Sequence, residues 1–247
     1  MGGSQDVVAE GGARSFVELH CHTNASFDSL ANPGAVARAA ASRGLTHLAI
    51  TDHDRIDAAL RLRDSAPADL TIIVGEEIKS ADGDLIALFL QEVVPPGLSA
   101  VDTIAAVRGQ GGLVGVPHPF DGLRGFGRKS GTSLESIAHL VDWVEVHNAR
   151  VIGGNANEKA AAFAREHDLP GVAASDSHSV IEVGVTYNIL TGDPATPAGL
   201  LAALTTVDFV PGRATFYVRA WTPIAKIIQS MKGNGRRRAQ PNGGEIR

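Results

Sequence analysis

The sequence predicts an α/β fold built as one barrel-sized domain. Short β-rich runs alternate with helical patterns, and polar residues repeatedly stand where an apolar run ends. At 247 residues the chain has the length at which an α/β barrel commonly forms a single domain. Strands that alternate with helices imply a parallel sheet covered by helices, whose functional groups gather at the carboxyl ends of the strands.

The strand predictions rest on seven short apolar segments. They are residues 16–20, 46–51, 71–78, 113–116, 143–146, 171–174 and 208–210. Helix signals fall between them. Asn32 followed by Pro33 is typical of an N-cap and first helical residue, while residues 99–110 and the alanine-rich residues 157–167 have helical patterns. About seven βα repeats result.

Composition sets the domain boundaries and the compartment. Residues 1–14 and 233–247 are predicted to be flexible, which leaves residues 15–232 as the folded domain. The basic run at residues 236–238 is interpreted as part of a solvated tail. No segment has the apolar length of a transmembrane helix or the core of a signal peptide, and Cys21 has no disulfide partner. We therefore expect a cytoplasmic protein that does not bind a membrane.

The charge balance argues against long duplex nucleic acid as a partner. Formal net charge is −5 and the isoelectric point is about 6.0, whereas domains that grip nucleic acid carry a basic surface. Charged residues make up 20% of the chain and hydrophobic residues 44%, which is an ordinary globular balance.

Histidines and carboxylates follow one predicted strand after another. The runs end in His20-Cys21-His22, Asp52-His53-Asp54, Glu76-Glu77, Pro117-His118-Pro119, His147-Asn148 and Asp176-Ser177-His178. His20 and His22 are two residues apart, so on an extended strand they share a face and can hold one cation. Imidazole with carboxylate suits Zn, Mn or Fe, and a carboxylate from the third strand can bridge two ions. The pattern predicts a clustered site for two or three divalent metal ions.

The ordered motifs LHCHT, TDHD, GEEI, PHPF, EVHNAR and SDSH resemble those of the PHP (polymerase and histidinol phosphatase) superfamily, and within it the stand-alone metal-dependent phosphoesterases. The resemblance covers about residues 17–226. It implies a distorted (β/α)7 barrel with two or three metal ions in a cleft at the carboxyl ends of the strands.

The resemblance also implies a distribution of ligands among the metals. The first site would take His20, His22, Glu77 and Asp176, with Glu77 bridging to a second site that also takes His118. The third site would take Asp28, His53 and His178. His147 either completes the second site or does not, since members of the family vary there. Asp84 stands where some members have histidine, so a substitute ligand and a strand-edge residue are both open.

Asp52 and a set of basic residues complete the predicted site. Asp52 is adjacent to His53, where it could accept an imidazole N–H and fix its tautomer. A long glycine-interrupted loop after His118 and two later strand ends carry cations suited to bind phosphate. These cations are Arg124, Arg128, Lys129, Arg150 and Lys79.

These observations predict a metal-dependent hydrolase of phosphate esters, acting on a small phosphomonoester, nucleotide or short oligonucleotide. A metal-bridging hydroxide would attack the phosphorus, and Asp176 or His178 could relay a proton to the leaving group. Two alternatives stay open. One is a metal-dependent C–N (amide) hydrolase, and the other is a non-catalytic or proofreading PHP module.

Overall fold

The computed structural model describes residues 12–128, 130–151 and 154–236. Within these residues, nine strands form one mixed sheet that curls into a nearly closed barrel. In chain order they are β1 Arg14–Glu18, β2 His47–Ile50, β3 Thr71–Lys79, β4 Asp84–Leu88, β5 Leu113–Val116, β6 Trp143–Asn148, β7 Gly171–Ala174, β8 Tyr187–Thr191 and β9 Val207–Val210. Their order across the sheet is β7-β6-β5-β4-β3-β2-β1-β8-β9.

Two strands, β4 and β8, were missing from the sequence-based prediction, and both run antiparallel to their neighbours. β4 pairs antiparallel with β3 and β5, and β8 pairs antiparallel with β1 and β9. Only residues 80–83 separate β3 from β4, which is too short for the crossover that a parallel pair requires. Ser80 Oγ tightens this turn by donating to Gly83 O at 2.6 Å. The expectation of a wholly parallel sheet is therefore wrong.

The barrel closes between β7 and the β1–β8 pair without a continuous strand ladder. The side-chain amide of Asn188 on β8 replaces the missing backbone hydrogen bonds to β7. Its Oδ1 accepts from Ala173 N and its Nδ2 donates to Ala173 O, each at 2.8 Å. Beyond the ends of β1 and β7, Cys21 and Ser177 form an isolated parallel bridge. The carboxyl ends of the first and seventh strands are thus adjacent.

Six α-helices accompany the sheet in the described part of the chain. They are α1 Pro33–Ser42, α2 Asp57–Arg63, α3 Ala100–Gly109, α4 Ala156–Glu166, α5 Pro197–Ala203 and α6 Phe216–Met231. The predicted start of α1 is confirmed, because the Asn32 side chain accepts a hydrogen bond from Ala35 N. None of these helices is long and apolar enough to cross a membrane.

The buried apolar side chains form two clusters because strand residues alternate between two faces. Ile72 and Val74 of β3 join the cluster that includes residues of α1 to α4, so they face outward beneath the helices. Ile73 joins the second cluster, which contains Trp143 of β6 and Leu200 of α5. The second cluster therefore fills the barrel interior below the strand ends.

Gly115 on β5 allows the closest approach in this inner core. It is paired in register with Trp143, and a Cβ atom at Gly115 would collide with the Trp143 indole, which is 1% exposed. We predict that Gly115→Ala lowers the free energy of unfolding by about 1–3 kcal/mol, since the indole must move within a packed core. Urea denaturation measures this loss.

Gly109 provides the matched control for this prediction. It lies in the last turn of α3, where a Cβ atom meets nothing within 4 Å. Gly109→Ala should leave stability unchanged or raise it by roughly 0.5–1 kcal/mol. Equal losses in the two variants would show that the contact with Trp143 does not limit residue 115.

Candidate metal centre

Histidines and carboxylates from six strand ends converge at one end of the barrel. The Cys21–Ser177 bridge, in which His22 N donates to Ser177 O at 2.9 Å, places the residues after β1 beside those after β7. A second isolated bridge joins His53 to Glu77. The closure of the sheet thus brings together residues that are more than 150 positions apart in sequence.

Four side chains predicted for the first metal converge. The Nε2 atoms of His20 and His22 are 3.0 Å apart, and they lie 3.5 and 3.4 Å from Glu77 Oε2. The same two nitrogens lie 3.6 and 3.5 Å from Asp176 Oδ1. All four side chains are buried. They surround a point where one cation would contact every member.

Glu77 also reaches toward the second group. Its other oxygen, Oε1, is 3.3 Å from His118 Nε2. Ligand atoms of Glu77, His118 and Asp84 lie within 4.8 Å of one another. Asp84 additionally contacts Lys79 Nζ at 2.9 Å, so this carboxylate has a cationic partner besides the cluster.

The residues predicted for a third metal lie at the open edge of the cluster. Asp28 bridges two imidazoles, with Oδ2 at 3.4 Å from His53 Nε2 and Oδ1 at 3.4 Å from His178 Nε2. His53 Nδ1 is 3.0 Å from Glu77 Oε2, which connects this group to the first. Asp28, His53 and His178 also line the cleft above the cluster.

Several buried atoms of the cluster lack the hydrogen bonds that a metal-free interior requires. In the described part of the chain, Asp28 Oδ1, Asp176 Oδ1, His53 Nδ1 and His118 Nδ1 make no hydrogen bond of good geometry, although ionisable side chains lie close to the first three. Buried polar atoms are rarely left unpaired, because desolvation without compensation costs free energy. Mixed imidazole and carboxylate donors of this kind fit divalent cations. The residues present therefore fit metal ions.

The electrostatics of the cluster favour the metal-binding forms of two carboxylates and one imidazole. Burial acts to raise the pKa of Glu77, but His53 and His20 hold it well below its ordinary value. Burial likewise opposes ionisation of Asp176, and Arg124 and His20 lower its pKa well below the ordinary value. Burial and the neighbouring His178 and His53 lower the pKa of His22. Both carboxylates are thus anionic, and His22 is neutral with a free lone pair.

Outer contacts fix the orientation of the imidazoles. His20 Nδ1 donates to Glu145 Oε1 at 2.6 Å, and His178 Nδ1 donates to Asp176 O at 2.8 Å. His22 Nδ1 lies 3.1 Å from Ser26 Oγ. With Nδ1 engaged, the Nε2 atom of each ring is directed into the cluster, which is a common arrangement behind metal-binding histidines.

The predicted contact between Asp52 and the His53 ring is not formed. Asp52 Oδ1 instead accepts from Ser26 Oγ at 2.6 Å, while Asp52 Oδ2 accepts from Thr23 Oγ1 at 2.6 Å. Adjacent strand residues point to opposite faces, which separates Asp52 from the His53 ring. Through Ser26, Asp52 orients His22 rather than His53.

His147 is not brought into the cluster. Its Nε2 donates to Gly212 O at 2.7 Å, and its ring stacks on Phe209 with centroids 6.2 Å apart. A bulge between Glu145 and His147 interrupts the alternation of β6. Glu145 faces the cluster in its place, where it contacts His20 and accepts from His118 N at 2.9 Å.

Sequence analysis missed Glu145 and a second buried carboxylate, Glu18. Glu18 accepts hydrogen bonds from His20 N and Ser175 N, each at 3.2 Å, and burial raises its pKa to about 8. The signal available in the sequence was a charged residue inside an apolar strand run. Neither glutamate ends its run, so the pattern of polar residues at strand ends did not single them out.

Most of the predicted phosphate-binding cations line the cleft, but carboxylates already pair with several. Arg124 contacts Asp176 Oδ2 at 2.6 Å, and Arg150 lies 3.4 Å from Glu182 Oε1. Arg128 lines the cleft, as does Lys79, which is paired with Asp84. Lys129 lies outside the described residues.

The C-terminal helix supports the loop that carries Asp28, which sequence analysis did not foresee. Gln229 of α6 is 4% exposed, and its Nε2 donates to Asn24 O, Ser26 O and Ser29 O at 2.8, 3.1 and 2.6 Å. Asn234, which falls in the predicted tail, donates to Ala25 O at 3.0 Å. Sequence patterns do not reveal such contacts because the acceptors are backbone carbonyls.

The PHP domain family matches residues 18–123 of the chain, and the PHP-associated family matches residues 154–206. The uncharacterized protein MJ0417 of Methanocaldococcus jannaschii is 34% identical over 173 residues, which cover 69% of this chain and 68% of that protein. The chain belongs to the PHP superfamily, as its motifs predicted.

Solved structures support the fold. One is a two-domain protein from Bacteroides vulgatus containing a predicted PHP-like metal-dependent phosphoesterase. It is 18% identical with a TM-score of 0.67, over 82% of this chain and 66% of that chain. Another is a putative metal-dependent phosphoesterase from Bifidobacterium adolescentis. It is 20% identical with a TM-score of 0.53, and the match covers 66% of this chain and 87% of that chain. PHP proteins have a distorted (β/α)7 barrel, so the predicted fold class is confirmed.

Glu77→Gln tests the bridging role of this carboxylate. The substitution keeps the shape of the side chain but removes the charge that faces His20, His22, His53 and His118. We predict the loss of at least one bound divalent ion per chain, measured by elemental analysis of protein reloaded with Zn, Mn or Fe. Glu76→Gln, on the opposite face of β3, is the control, and unchanged metal content in Glu77→Gln would refute the assignment.

Gln229→Leu tests the support of the Asp28 loop. The variant removes the amide that donates to three carbonyls of this loop. We therefore predict metal affinity at least about tenfold weaker at the site that contains Asp28, together with a stability loss of about 1–3 kcal/mol. Metal titration and thermal unfolding measure the two effects. Ser230→Leu introduces the same side chain at an exposed neighbour and should change neither. Wild-type affinity in Gln229→Leu would exclude a positioning role.

Proposed function

We propose that this protein hydrolyses phosphate esters with two or three divalent metal ions bound in the cluster. The observation that carries the proposal is the position of Glu77, which contacts imidazoles from three other strand ends beneath a cleft lined with cations. Carboxylates shared between sites hold metal ions about 3.5–4 Å apart in many phosphatases and nucleases. Membership of the PHP superfamily and the phosphoesterase names of two structural neighbours support this activity.

When bound, such ions lower the pKa of water and polarise phosphoryl oxygens, so no protein nucleophile is required. The buried side chains of the cluster would hold and position the ions. Arg124 lies at its edge, where it would hold a phosphoryl oxygen and offset charge that develops in the transition state.

A proton must reach the leaving group, and two residues are placed to carry it. His178 lines the cleft, with Nδ1 donating to Asp176 O and Nε2 directed toward Asp28 at the open edge of the cluster. The Asp176 carboxylate lies beside it, with Oδ1 at 3.5 Å from His178 Nδ1. We assign the proton relay to this pair, and to Asp52 the orientation of His22 through Ser26.

The amide-hydrolase alternative gains no support from the described cleft. A carboxylated lysine would be the expected metal bridge in such an enzyme, but the bridging position is taken by Glu77. Lys79 lines the cleft and pairs with Asp84. A small phosphorylated compound is therefore the proposed substrate.

Lys226→Met tests whether cations over the cluster bind phosphate. Lys226 Nζ is 4.0 Å from Asp28 Oδ2, and the side chain is 51% exposed at the cleft. Loss of one charge-assisted contact should lower kcat/KM for a phosphate ester about tenfold. Metal content should not change, because a protonated lysine is not a ligand.

The matched control is Lys232→Met, which removes an exposed cation just beyond the end of α6 and outside the cleft residues. Activity is measured on a panel of phosphomonoesters, phosphodiesters and cyclic amides with Zn, Mn or Fe added. Turnover of amides alone, or of no ester by metal-loaded protein, would overturn the proposed function.

A further inference from the structure

The cleft above the cluster has two lobes that meet over the proposed metal ions. Five residues line both lobes and form the wall between them, namely Asp28, Leu123, Arg124, His178 and Lys226. Asp28 and His178 belong to the cluster itself, with Asp28 Oδ1 at 3.4 Å from His178 Nε2. The exposed edge of the cluster therefore opens toward both lobes.

Each lobe has room for an organic group. One, here called the arginine lobe, has a volume of about 180 Å³ and is lined by Phe27, Ala81, Arg128 and Arg236. The other, here called the helix lobe, has about 300 Å³ and is lined by Arg150, Val151, Ala156 and Thr222. Both volumes far exceed the roughly 10–15 Å³ that a cavity needs to hold one water molecule by this measure. A phosphoryl group alone would fill neither lobe.

The charge on the shared wall suits a singly charged phosphate. Arg124 contacts Asp176 Oδ2 at 2.6 Å and Asp121 Oδ2 at 3.2 Å, so two carboxylates already balance its guanidinium. Lys226 is closer to solvent and lies 4.0 Å from Asp28. A phosphomonoester carries a charge of about −1.5 to −2 at pH 7. A phosphodiester carries only one negative charge, so it needs less compensating positive charge from these cations, which carboxylates already pair.

We propose that the substrate is a phosphodiester whose phosphate lies on the shared wall, with one organic substituent in each lobe. This inference rests on the proposed phosphoesterase function. In the reaction, the oxygen of water forms a bond to phosphorus, and the bond from phosphorus to one ester oxygen breaks. The proton from water goes to the departing oxygen. The products are a phosphomonoester and an alcohol.

A phosphomonoester has one organic substituent, so it would need only one lobe beside the cluster. Its single substituent would occupy one lobe, and the opposite side of the cluster would be closed by groups that bind the three non-bridging oxygens. Here the opposite side is a second lobe instead. Phe27 faces the arginine lobe beneath Lys226 and Arg236, which lie 5.4 and 5.1 Å from its ring centroid. This side offers an apolar and cationic surface to a second substituent.

The experiment compares bis(p-nitrophenyl) phosphate with p-nitrophenyl phosphate on the metal-loaded protein. We expect kcat/KM at least tenfold higher for the diester. Ala156→Trp narrows the helix lobe and Ala81→Trp narrows the arginine lobe. Either substitution should lower the diester-to-monoester ratio of kcat/KM at least tenfold, because a diester needs both lobes and a monoester can use the one that stays open.

Lys159→Trp places the same side chain at an exposed position of α4 outside both lobes, and it should keep the ratio within twofold. Circular dichroism and metal content verify each variant, with Ala156→Leu and Ala81→Leu replacing any variant that does not fold. A wild-type preference for the monoester, or equal losses on both esters, would overturn the diester inference and leave phosphate-ester hydrolysis standing. If metal-loaded protein hydrolyses neither ester, the proposed function itself fails.

Discussion

The buried carboxylate of Glu77 is the feature on which the rest of the site depends. It is 1% exposed, and its two oxygens lie 3.0–3.5 Å from imidazole nitrogens of His20, His22, His53 and His118. Removing an anion from water costs several kcal/mol unless positive charge or hydrogen bonds compensate it. Although burial opposes it, neighbouring carboxylates raise the pKa values of His20 and His53 well above the ordinary value, so these two imidazoles are charged and compensate Glu77 in part. Divalent cations bound in the cluster would neutralise the carboxylate and take the ring nitrogens as neutral ligands.

The closure of the sheet determines which groups reach Glu77. Asn188 joins β8 to β7, and the Cys21–Ser177 bridge joins the chain beyond β1 to the chain beyond β7. Asp176 and His118 then leave their strands with positive φ values of 52° and 31°. Such conformations cost on the order of 1–3 kcal/mol in non-glycine residues and are concentrated at functional sites. Here they coincide with the turns that direct two cluster side chains inward.

The sequence revealed the residues of the cluster more readily than their supports. His20, His22 and Asp176 were recognisable because each ends or follows an apolar strand run, and strand ends meet at one side of a barrel. Glu77 was selected over Glu76 by its resemblance to the PHP motif. The exchange of His147 for Glu145 could not be foreseen, since a bulge in β6 changes which face each residue occupies. The missing strands β4 and β8 have a related cause. Antiparallel strands joined by short turns have no intervening helix to mark them.

Supports that act through the backbone were also invisible in the sequence. Gln229 binds carbonyls some 200 residues earlier, and the acceptors carry no side-chain signature. Arg236, which was assigned to a solvated tail, lies 3.4 Å from the Asp84 carboxylate, a long-range contact that local composition does not reveal. The loop that carries Asp28 therefore depends on the C-terminal helix, and the site includes residues from both ends of the described chain.

The central claim is that Glu77 bridges divalent ions, and anomalous X-ray scattering tests it most directly. Crystals loaded with Zn or Mn would be measured at the absorption edge of the metal. The account predicts at least two anomalous peaks, with one about 2.0–2.2 Å from each oxygen of Glu77 and with imidazole nitrogens of His20, His22 or His118 at similar distances. Peaks confined to other parts of the protein, or an ordered Glu77 with no peak within bonding distance, would contradict it.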